Sequence, residues 1–243
     1  VKDLGGGARV SGAISYQDRI PLENTSTYVI KDWQEKVFTP NYPEIMTSNF
    51  KRHQALAISV DLRWQPGGRY IEYPERKIRI RSKYPTFNVG YTHGIKNLLG
   101  SDIDYGKWHF GISDNLNVKL WGSIRYAFGT GGFLNRKAVE VPDFTHFNGN
   151  QLFLASDYIS SFQLLPYYKY SNVERFYAKA HLEHHYNGLL TNKIPLFRKL
   201  NWHLVTGANS FYLNRNQYYI EPFVGLENIL KILRLDFVWG IEK

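Results

Sequence analysis

Cysteine is absent from the 243 residues of this sequence, which excludes a disulfide framework, a thiolate metal site and a cysteine nucleophile. Long apolar runs are absent too, since no stretch approaches the ~18 consecutive apolar residues that a membrane-spanning helix needs. A helical membrane protein is therefore excluded, whereas strands that span a membrane are not. The sequence begins at Val1 without an initiator methionine or an apolar signal segment, so we expect a processed product or a fragment.

Aromatic residues are abundant, whereas methionine is scarce. The chain has 18 Tyr, 15 Phe and 6 Trp against a single Met. Hydrophobic residues make up 43% and charged residues 21% of the chain, a balance that excludes a disordered protein. The 30 Lys and Arg outnumber the 21 Asp and Glu, which gives a formal net charge of +9. The composition therefore indicates an ordered, basic chain.

Alternation with a period of two residues is the main structural signal. Between residues 56 and 64, one set of positions is apolar and the set between them is small or polar. The apolar set is Leu56, Ile58, Val60, Leu62 and Trp64. A strand sorts such residues onto two faces, whereas a helix would scatter them around its circumference.

The same alternation recurs along the chain, and no long amphipathic helix is evident. Further strands are predicted at 7–16, 85–91, 108–112, 116–128, 175–183, 200–208, 218–226 and 233–241. The sequence therefore predicts an all-β protein of roughly ten strands.

Two all-β architectures accept this pattern, a water-soluble sandwich or barrel and an outer-membrane barrel. The predicted segments run about nine to twelve residues, close to the ~9–11 residues of a tilted membrane strand. Aromatic residues such as Trp64, Trp108 and Trp239 lie at the ends of the apolar faces, as interfacial girdles require. The polar faces carry full charges, as a hydrated interior allows. These features favour an antiparallel transmembrane β-barrel over the soluble alternative.

The connections are predicted to alternate between short and long. Residues 113–115 and 214–216 have the composition of tight polar turns. Long loops are expected near 17–52 and 129–149, where proline or glycine interrupts polar sequence. Residues 1–243 are thus interpreted as one partial barrel domain, whose long loops would bind external partners.

The motif His181-Leu182-Glu183-His184-His185 is the strongest candidate for a metal site. On a strand, however, His181, Glu183 and His185 point to one side at intervals of about 6.5–7 Å. One metal ion cannot easily reach all three, so we expect a hydrogen-bonded ladder and no metal.

Other chemical motifs are weak. A Gly-x-Ser-x-Gly elbow is absent, and the glycines at 129–132 lack the lysine of a phosphate-binding loop. The basic segment 76–83 resembles a phosphate-binding strip, but no nucleic-acid-binding fold accompanies it. We therefore expect no catalytic residues, no cofactor and no nucleic-acid partner.

Charged residues on the polar faces are predicted to line the interior of the barrel. Their mixed signs favour internal salt bridges over an ion-selective pore. The predicted lining residues are Asp61, Arg63, Lys119, Arg125, Arg175, Lys179, His181, Glu183, His185, Arg234 and Asp236.

Several segments of the second half of the chain resemble a large outer-membrane family of Bacteroidota. The resemblance rests on residues 147–151, 164–171, 181–188, 192–200, 225–229 and 234–238 and, more loosely, 55–94. It implies a family of unknown function with a carboxypeptidase-regulatory-like N-terminal sandwich followed by a long barrel. This chain would be the C-terminal part of that barrel.

The expected function is non-enzymatic, as a transport, assembly or scaffold component of an outer-membrane complex. The expected partners are outer-membrane lipid, including lipopolysaccharide, and other proteins of that complex. The cell outer membrane of a Gram-negative bacterium is the expected location. The alternative is an outer-membrane lipid or peptide hydrolase whose active site is built from loops. Because an open sheet edge in lipid leaves backbone groups unsatisfied, we also expect that these strands do not close a barrel alone.

Overall fold

Strands dominate the structure, as the alternation predicts. The computed structural model describes residues 1–21, 31–33, 36–38, 51–75, 77–80, 82–150, 154–188 and 191–243. The strands are β1 (Lys2–Gly5), β2 (Ala8–Arg19), β3 (Lys31–Trp33), β4 (Lys36–Phe38), β5 (His53–Trp64), β6 (Arg69–Glu72), β7 (Lys77–Ile80), β8 (Thr86–Gly94), β9 (Asp104–Asn117), β10 (Ser123–Ala138), β11 (Tyr177–His185), β12 (His203–Asn214), β13 (Gln217–Ile229), β14 (Leu233–Val238) and β15 (Ile241–Glu242).

Helical structure is confined to short elements. The helix α1 spans Pro195–Leu200, and single 3₁₀ turns occupy Lys119–Trp121, Val141–Asp143 and Thr191–Lys193. Within the described ranges, no helix has both the length and the apolar character that crossing a membrane requires. The prediction of an all-β protein is confirmed.

The main sheet contains eleven antiparallel strands in the order β1-β2-β5-β8-β9-β10-β11-β12-β13-β14, with β15 also pairing with β13. Two small hairpins, β3-β4 and β6-β7, stand outside it. In the part of the chain that the structure describes, β1 and β14 each pair with one neighbour, so the sheet is not closed. The open sheet agrees with the prediction that these strands do not close on themselves.

Two strand boundaries differ from the sequence prediction. Residues 113–115, predicted as a turn, continue β9, and the turn lies instead at 118–122. Asn117 Oδ1 accepts a hydrogen bond from the backbone N–H of Lys119 at 2.9 Å and so begins this turn. Gly122 ends it with φ 94°, in a position where a Cβ atom would lie 1.8 Å from the carbonyl oxygen of His185. Residues 116–128 are therefore two strands around a turn, because only glycine fits at that point.

The predicted long loops are also placed differently. Residues 129–138 belong to the 16-residue strand β10, so the loop predicted at 129–149 begins ten residues later and extends to residue 176. The loop predicted at 17–52 begins after β2, at residue 20, and its residues 22–30, 34–35 and 39–50 lie outside the described residues. Within the basic segment 76–83, Arg76 and Arg81 also lie outside them.

The sheet has two faces of opposite character. The outer face carries Ile58, Val60 and Leu62, and the register extends it through Tyr91 to Trp108. These apolar side chains are largely exposed in the isolated chain, and Val60 is 52% exposed. The inner face carries buried polar residues instead, among which Glu183 and Glu221 are 1% and 0% exposed.

The described residues of 139–176, here called the inner segment, cover the inner face of β11, β12 and β13. Phe147 stacks on Phe211 with ring centroids 4.3 Å apart, and Phe162 meets Phe211 and Tyr219 edge to face. Leu165 joins the same buried cluster. The hydrophobic core therefore lies between the sheet and a connection of its own chain.

Candidate functional site

Glu183 of β11 is the centre of a charged cluster on the inner face. Arg125 of β10 donates from Nη1 to Glu183 Oε2 at 2.9 Å, and Arg234 of β14 donates to Oε1. His185 Nε2 lies 3.2 Å from Glu183 Oε2. A buried carboxylate needs such donors because desolvation otherwise makes its charge costly.

The cluster extends from Glu183 to two further acidic side chains of the sheet. His185 Nδ1 lies 2.9 Å from Glu227 Oε2, and Arg234 Nε donates to Asp236 at 2.9 Å. The six residues come from β10, β11, β13 and β14, so the cluster bridges strands that are not all neighbours. These ion pairs connect the strands on the inner face of the sheet.

The inner segment is attached to this cluster. Arg125 Nη2 donates to Asp157 at 3.1 Å, and the guanidinium of Arg234 lies 4.6 Å from the ring centroid of Tyr158. Burial raises the pKa of the Tyr158 hydroxyl, and the nearby Asp236 carboxylate raises it further. Tyr158 therefore remains a neutral donor at the contact between the segment and the sheet.

A second attachment lies at the start of the inner segment. Arg19 of β2 donates from both Nη atoms to Asp143, at 2.6 and 2.9 Å. Tyr105 of β9 donates to Asp143 Oδ1 at 3.0 Å, and Lys107 Nζ donates to the carbonyl oxygen of Phe144 at 3.1 Å. A bidentate Arg–carboxylate pair is among the strongest polar contacts in proteins. No local sequence pattern indicates this contact, because 124 positions separate Arg19 from Asp143.

A third attachment is built on Glu221 of β13. Its carboxylate accepts hydrogen bonds from the backbone N–H groups of Gln163 and Leu164 at 2.7 and 2.9 Å. Tyr219 donates to it at 2.8 Å and Asn209 at 3.3 Å. Glu221 was not among the predicted site residues, although its position between Tyr219 and Phe223 places one acidic residue on an otherwise aromatic face.

The His-Glu-His ladder does not converge on one point. His181 Nδ1 lies 3.0 Å from Asn209 Oδ1, while Glu183 and His185 belong to the charged cluster. In the described part of the chain, no group of three His, Asp or Glu side chains is arranged to hold a metal ion. Each member of the ladder thus has a hydrogen-bond partner of its own.

Asp61 and Arg63 of β5 lie in a more open part of the inner face. His109 Nε2 lies 3.5 Å from Asp61 Oδ1, directly above Gly90, where a Cβ atom would come within 2.3 Å of that oxygen. Arg63 and Arg125 line a polar cavity of about 400 Å³ together with Thr86, Ser113 and Asn115. Arg125 therefore lines this cavity and also contacts Glu183.

Three of the predicted lining residues lie apart from these groups. Lys119 is exposed in the turn between β9 and β10 and not on a strand, which corrects its prediction as a lining residue. Arg175 is exposed two residues before β11 begins. Lys179 is half-buried on the inner face of β11 beside Gly129. The residues predicted together as lining residues therefore lie at separate positions in the fold.

Comparison with known families adds one finding. The model of a family of unknown function, the C-terminal domain of DUF5686, matches residues 2–226. The chain belongs to this family. The resemblance to the C-terminal part of a family of unknown function is confirmed to that extent. No curated protein and no solved structure matches the chain.

The family match includes most of the residues described above. Arg125, Glu183, His185 and Glu221 fall within 2–226, whereas Glu227, Arg234 and Asp236 follow it. The cluster around Glu183 therefore includes residues on both sides of the end of the matched range.

Proposed function

We propose that this member of the DUF5686 family is part of an outer-membrane β-barrel in Gram-negative Bacteroidota. It acts without catalysis, as a scaffold or assembly component of an outer-membrane complex or as a transport component. A carboxypeptidase-regulatory-like sandwich precedes the barrel in this proposal. Outer-membrane lipid, including lipopolysaccharide, surrounds it.

The reversed burial of the two sheet faces carries this proposal. Val60 on the outer face is 52% exposed and Phe237 is 61% exposed, whereas Glu183 and Glu221 are buried inside. A water-soluble sheet places its apolar face in the core, because exposed apolar surface is costly in water. Apolar residues outside and charges inside are typical of a barrel in lipid.

Strand length supports the same function. The strands β9, β10, β12 and β13 contain 14, 16, 12 and 13 residues. A tilted strand needs ~9–11 residues to cross the hydrocarbon layer, so each is long enough. Strands of globular proteins usually have about 5–6 residues.

The inner segment favours a scaffold or assembly role over an open pore. Three attachments, at Asp143, Asp157 and Glu221, hold it against the sheet. A solute that passes along this part of the inner face would have to displace it. Transport in this proposal therefore requires movement of residues 139–176.

Paired substitutions on adjacent positions test the proposal. Val60→Arg places a cation on the outer face and should reduce insertion into lipid by about 2–4 kcal/mol. Ser59→Arg, one residue away on the inner face, should be milder. The fraction of heat-modifiable, folded protein in lipid vesicles measures both. Val89→Arg and Asn88→Arg repeat the comparison on β8.

A soluble sheet would give the opposite order. Arginine on a water-exposed outer face would be tolerated, and arginine at the inner positions would be the more damaging change. Equal tolerance at Val60 and Ser59 would also contradict the proposal. Fractionation of cells with an antibody to the native protein then locates it in the outer membrane or elsewhere.

A further inference from the structure

Three neighbouring connections at one end of the sheet carry cations without any acidic residue, whereas a further connection at that end, residues 65–85, contains Glu72 and Glu75. The connections β9-β10, β11-β12 and β13-β14 lie at this end, since the strands alternate in direction. Over 118–122, 186–202 and 228–232 their sequence contains no Asp or Glu. Their five cations are Lys119, Lys193, Arg198, Lys199 and Lys231. We call the described residues of these three connections the basic rim.

The basic rim is one continuous surface. His184 Nε2 lies 2.7 Å from the carbonyl oxygen of Trp121, which joins the first connection to β11. Asn228 donates to the carbonyl oxygen of Asn201 at 2.8 Å, which joins the second connection to the third. All five cations of the rim are exposed.

Large apolar side chains are exposed between these cations. Ile232 is 85% exposed and Leu120 is 81% exposed, and Trp121, Leu196 and Leu230 are exposed too. Apolar groups at this density are costly to leave in water and indicate an interaction surface. The rim directly continues the apolar outer face, because β9, β11 and β13 run into it.

We propose that the basic rim binds the anionic, phosphate-bearing headgroups of phospholipids in the adjoining leaflet, an inference that rests on the barrel function proposed above. Leucine, isoleucine and tryptophan side chains enter the boundary between headgroups and acyl chains, while Lys and Arg extend to the phosphates. The absence of acidic residues from these connections favours an anionic partner. Continuity with the outer face favours lipid over a protein as that partner.

The opposite end of the sheet provides the contrast. Its connections 95–103 and 139–176 contain Asp102, Glu140, Asp143, Asp157 and Glu174 beside their cations. The three connections of the rim therefore differ from these two in having cations without acidic neighbours. Four exposed cations at that opposite end, Lys51, Lys96, Lys137 and Arg215, supply a matched control.

The test uses the protein purified in detergent and titrated separately with phosphatidylglycerol and phosphatidylcholine. Native mass spectrometry reports the ratio of the two bound lipids. We expect a preference for phosphatidylglycerol that falls in the variant K119Q/R198Q/K199Q/K231Q, with about a fivefold loss per cation. The control K51Q/K96Q/K137Q/R215Q should keep the preference.

Insertion into vesicles of phosphatidylcholine alone, or of phosphatidylcholine with phosphatidylglycerol, separates the two proposals. Failure to insert into either would overturn the barrel function. Insertion without a preference for phosphatidylglycerol, or a preference that the control variant loses equally, would overturn the lipid role of the rim. So would a co-purifying protein that the rim variant releases while lipid binding stays unchanged. Heat modifiability of each variant shows that it is folded.

Discussion

Individual charged residues hold this fold together from its inner face. Glu183 is buried at 1% exposure and accepts from two arginines on different strands. A buried carboxylate with full hydrogen bonding contributes less to net stability than its contacts suggest, because desolvation opposes them. Removing one partner is costly, however, because the remaining charges lose their counter-ion.

Glu183→Gln tests this at the centre of the cluster. The amide keeps the shape but leaves Arg125, Arg234 and His185 without the negative charge. We expect a loss of about 3–5 kcal/mol in the free energy of unfolding, measured by denaturant titration in detergent. Glu75→Gln, at an exposed position, should change stability little. A neutral effect of Glu183→Gln would show that the arginines find other acceptors.

His146 in the inner segment provides a pH-dependent probe. Burial lowers its pKa below the ordinary value of about 6.5. Its Nε2 lies 3.1 Å from the carbonyl oxygen of Val141 and its Nδ1 lies 2.8 Å from Ser171 Oγ. Because the folded state binds a proton less readily than the unfolded state, this group stabilises the segment above its ordinary pKa. That contribution is lost as the pH falls below it.

Hydrogen exchange across residues 139–176 should therefore become faster as the pH falls from about 7.5 to about 5.5, after correction for the intrinsic pH dependence of exchange. His146→Gln should remove the pH-dependent part. His203→Gln, at the start of β12 and outside the segment, is the control. A segment whose protection does not change with pH would contradict the role of His146.

At the scale of elements, the inner segment is the feature that sequence patterns did not show. Period-two alternation predicted the strands well, because each strand separates an apolar from a polar face within its own residues. The cover of the inner face has no such local pattern. Its contacts, such as Phe147 with Phe211 and Leu164 with Glu221, join residues more than fifty positions apart.

The turn at 118–122 was missed for a related reason. Val118 and Leu120 continue the alternation of β9 across the turn, so the pattern gave no break. Gly122 was the available signal, since its positive φ ends the turn. Local patterns also do not show which residues of the candidate site are in contact. Glu183, Arg125 and Arg234 were predicted as lining residues, but their contacts depend on how the strands are paired. Asp143 carried no periodic signal, and Glu221 was marked only as one acidic residue on an aromatic face.

Glu221→Gln tests how the inner segment is attached. The amide replaces one acceptor oxygen with a donor that faces the backbone N–H groups of Gln163 or Leu164. An unsatisfied buried donor costs about 1–3 kcal/mol, so hydrogen exchange in residues 154–170 should rise while β8 and β9 keep their protection. Glu174→Gln serves as the control within the same segment. Equal protection in both variants would show that aromatic packing alone holds it.

At the scale of the whole molecule, the main sheet has two unpaired edges. Among the described strands, β1 and β14 lie at the two edges. Edge strands expose unpaired backbone groups, which lipid does not satisfy. Another segment of the same protein or a partner chain must therefore pair with both edges in the proposed membrane setting.

Engineered disulfides test the edges directly, since the chain has no cysteine of its own. Leu4→Cys combined with a cysteine at Leu233, Leu235 or Phe237 should not cross-link in the folded protein. Val224→Cys with Phe237→Cys, which are partners across β13 and β14, should cross-link readily. An efficient cross-link between β1 and β14 would show that the sheet closes on itself.

The strand order of the main sheet also bears on the order in which the strands fold. Its strands follow one another in chain order from β1 to β14, so each can be added as a hairpin onto the strand before it, at a small loop-closure entropy. Glu183 and Arg125 meet when β11 joins β10, but Arg234 arrives only with β14. If strands are added from the amino-terminal side, Glu183 meets its second arginine only when β14 is added. The charged cluster is then complete when only the short strand β15 remains to pair.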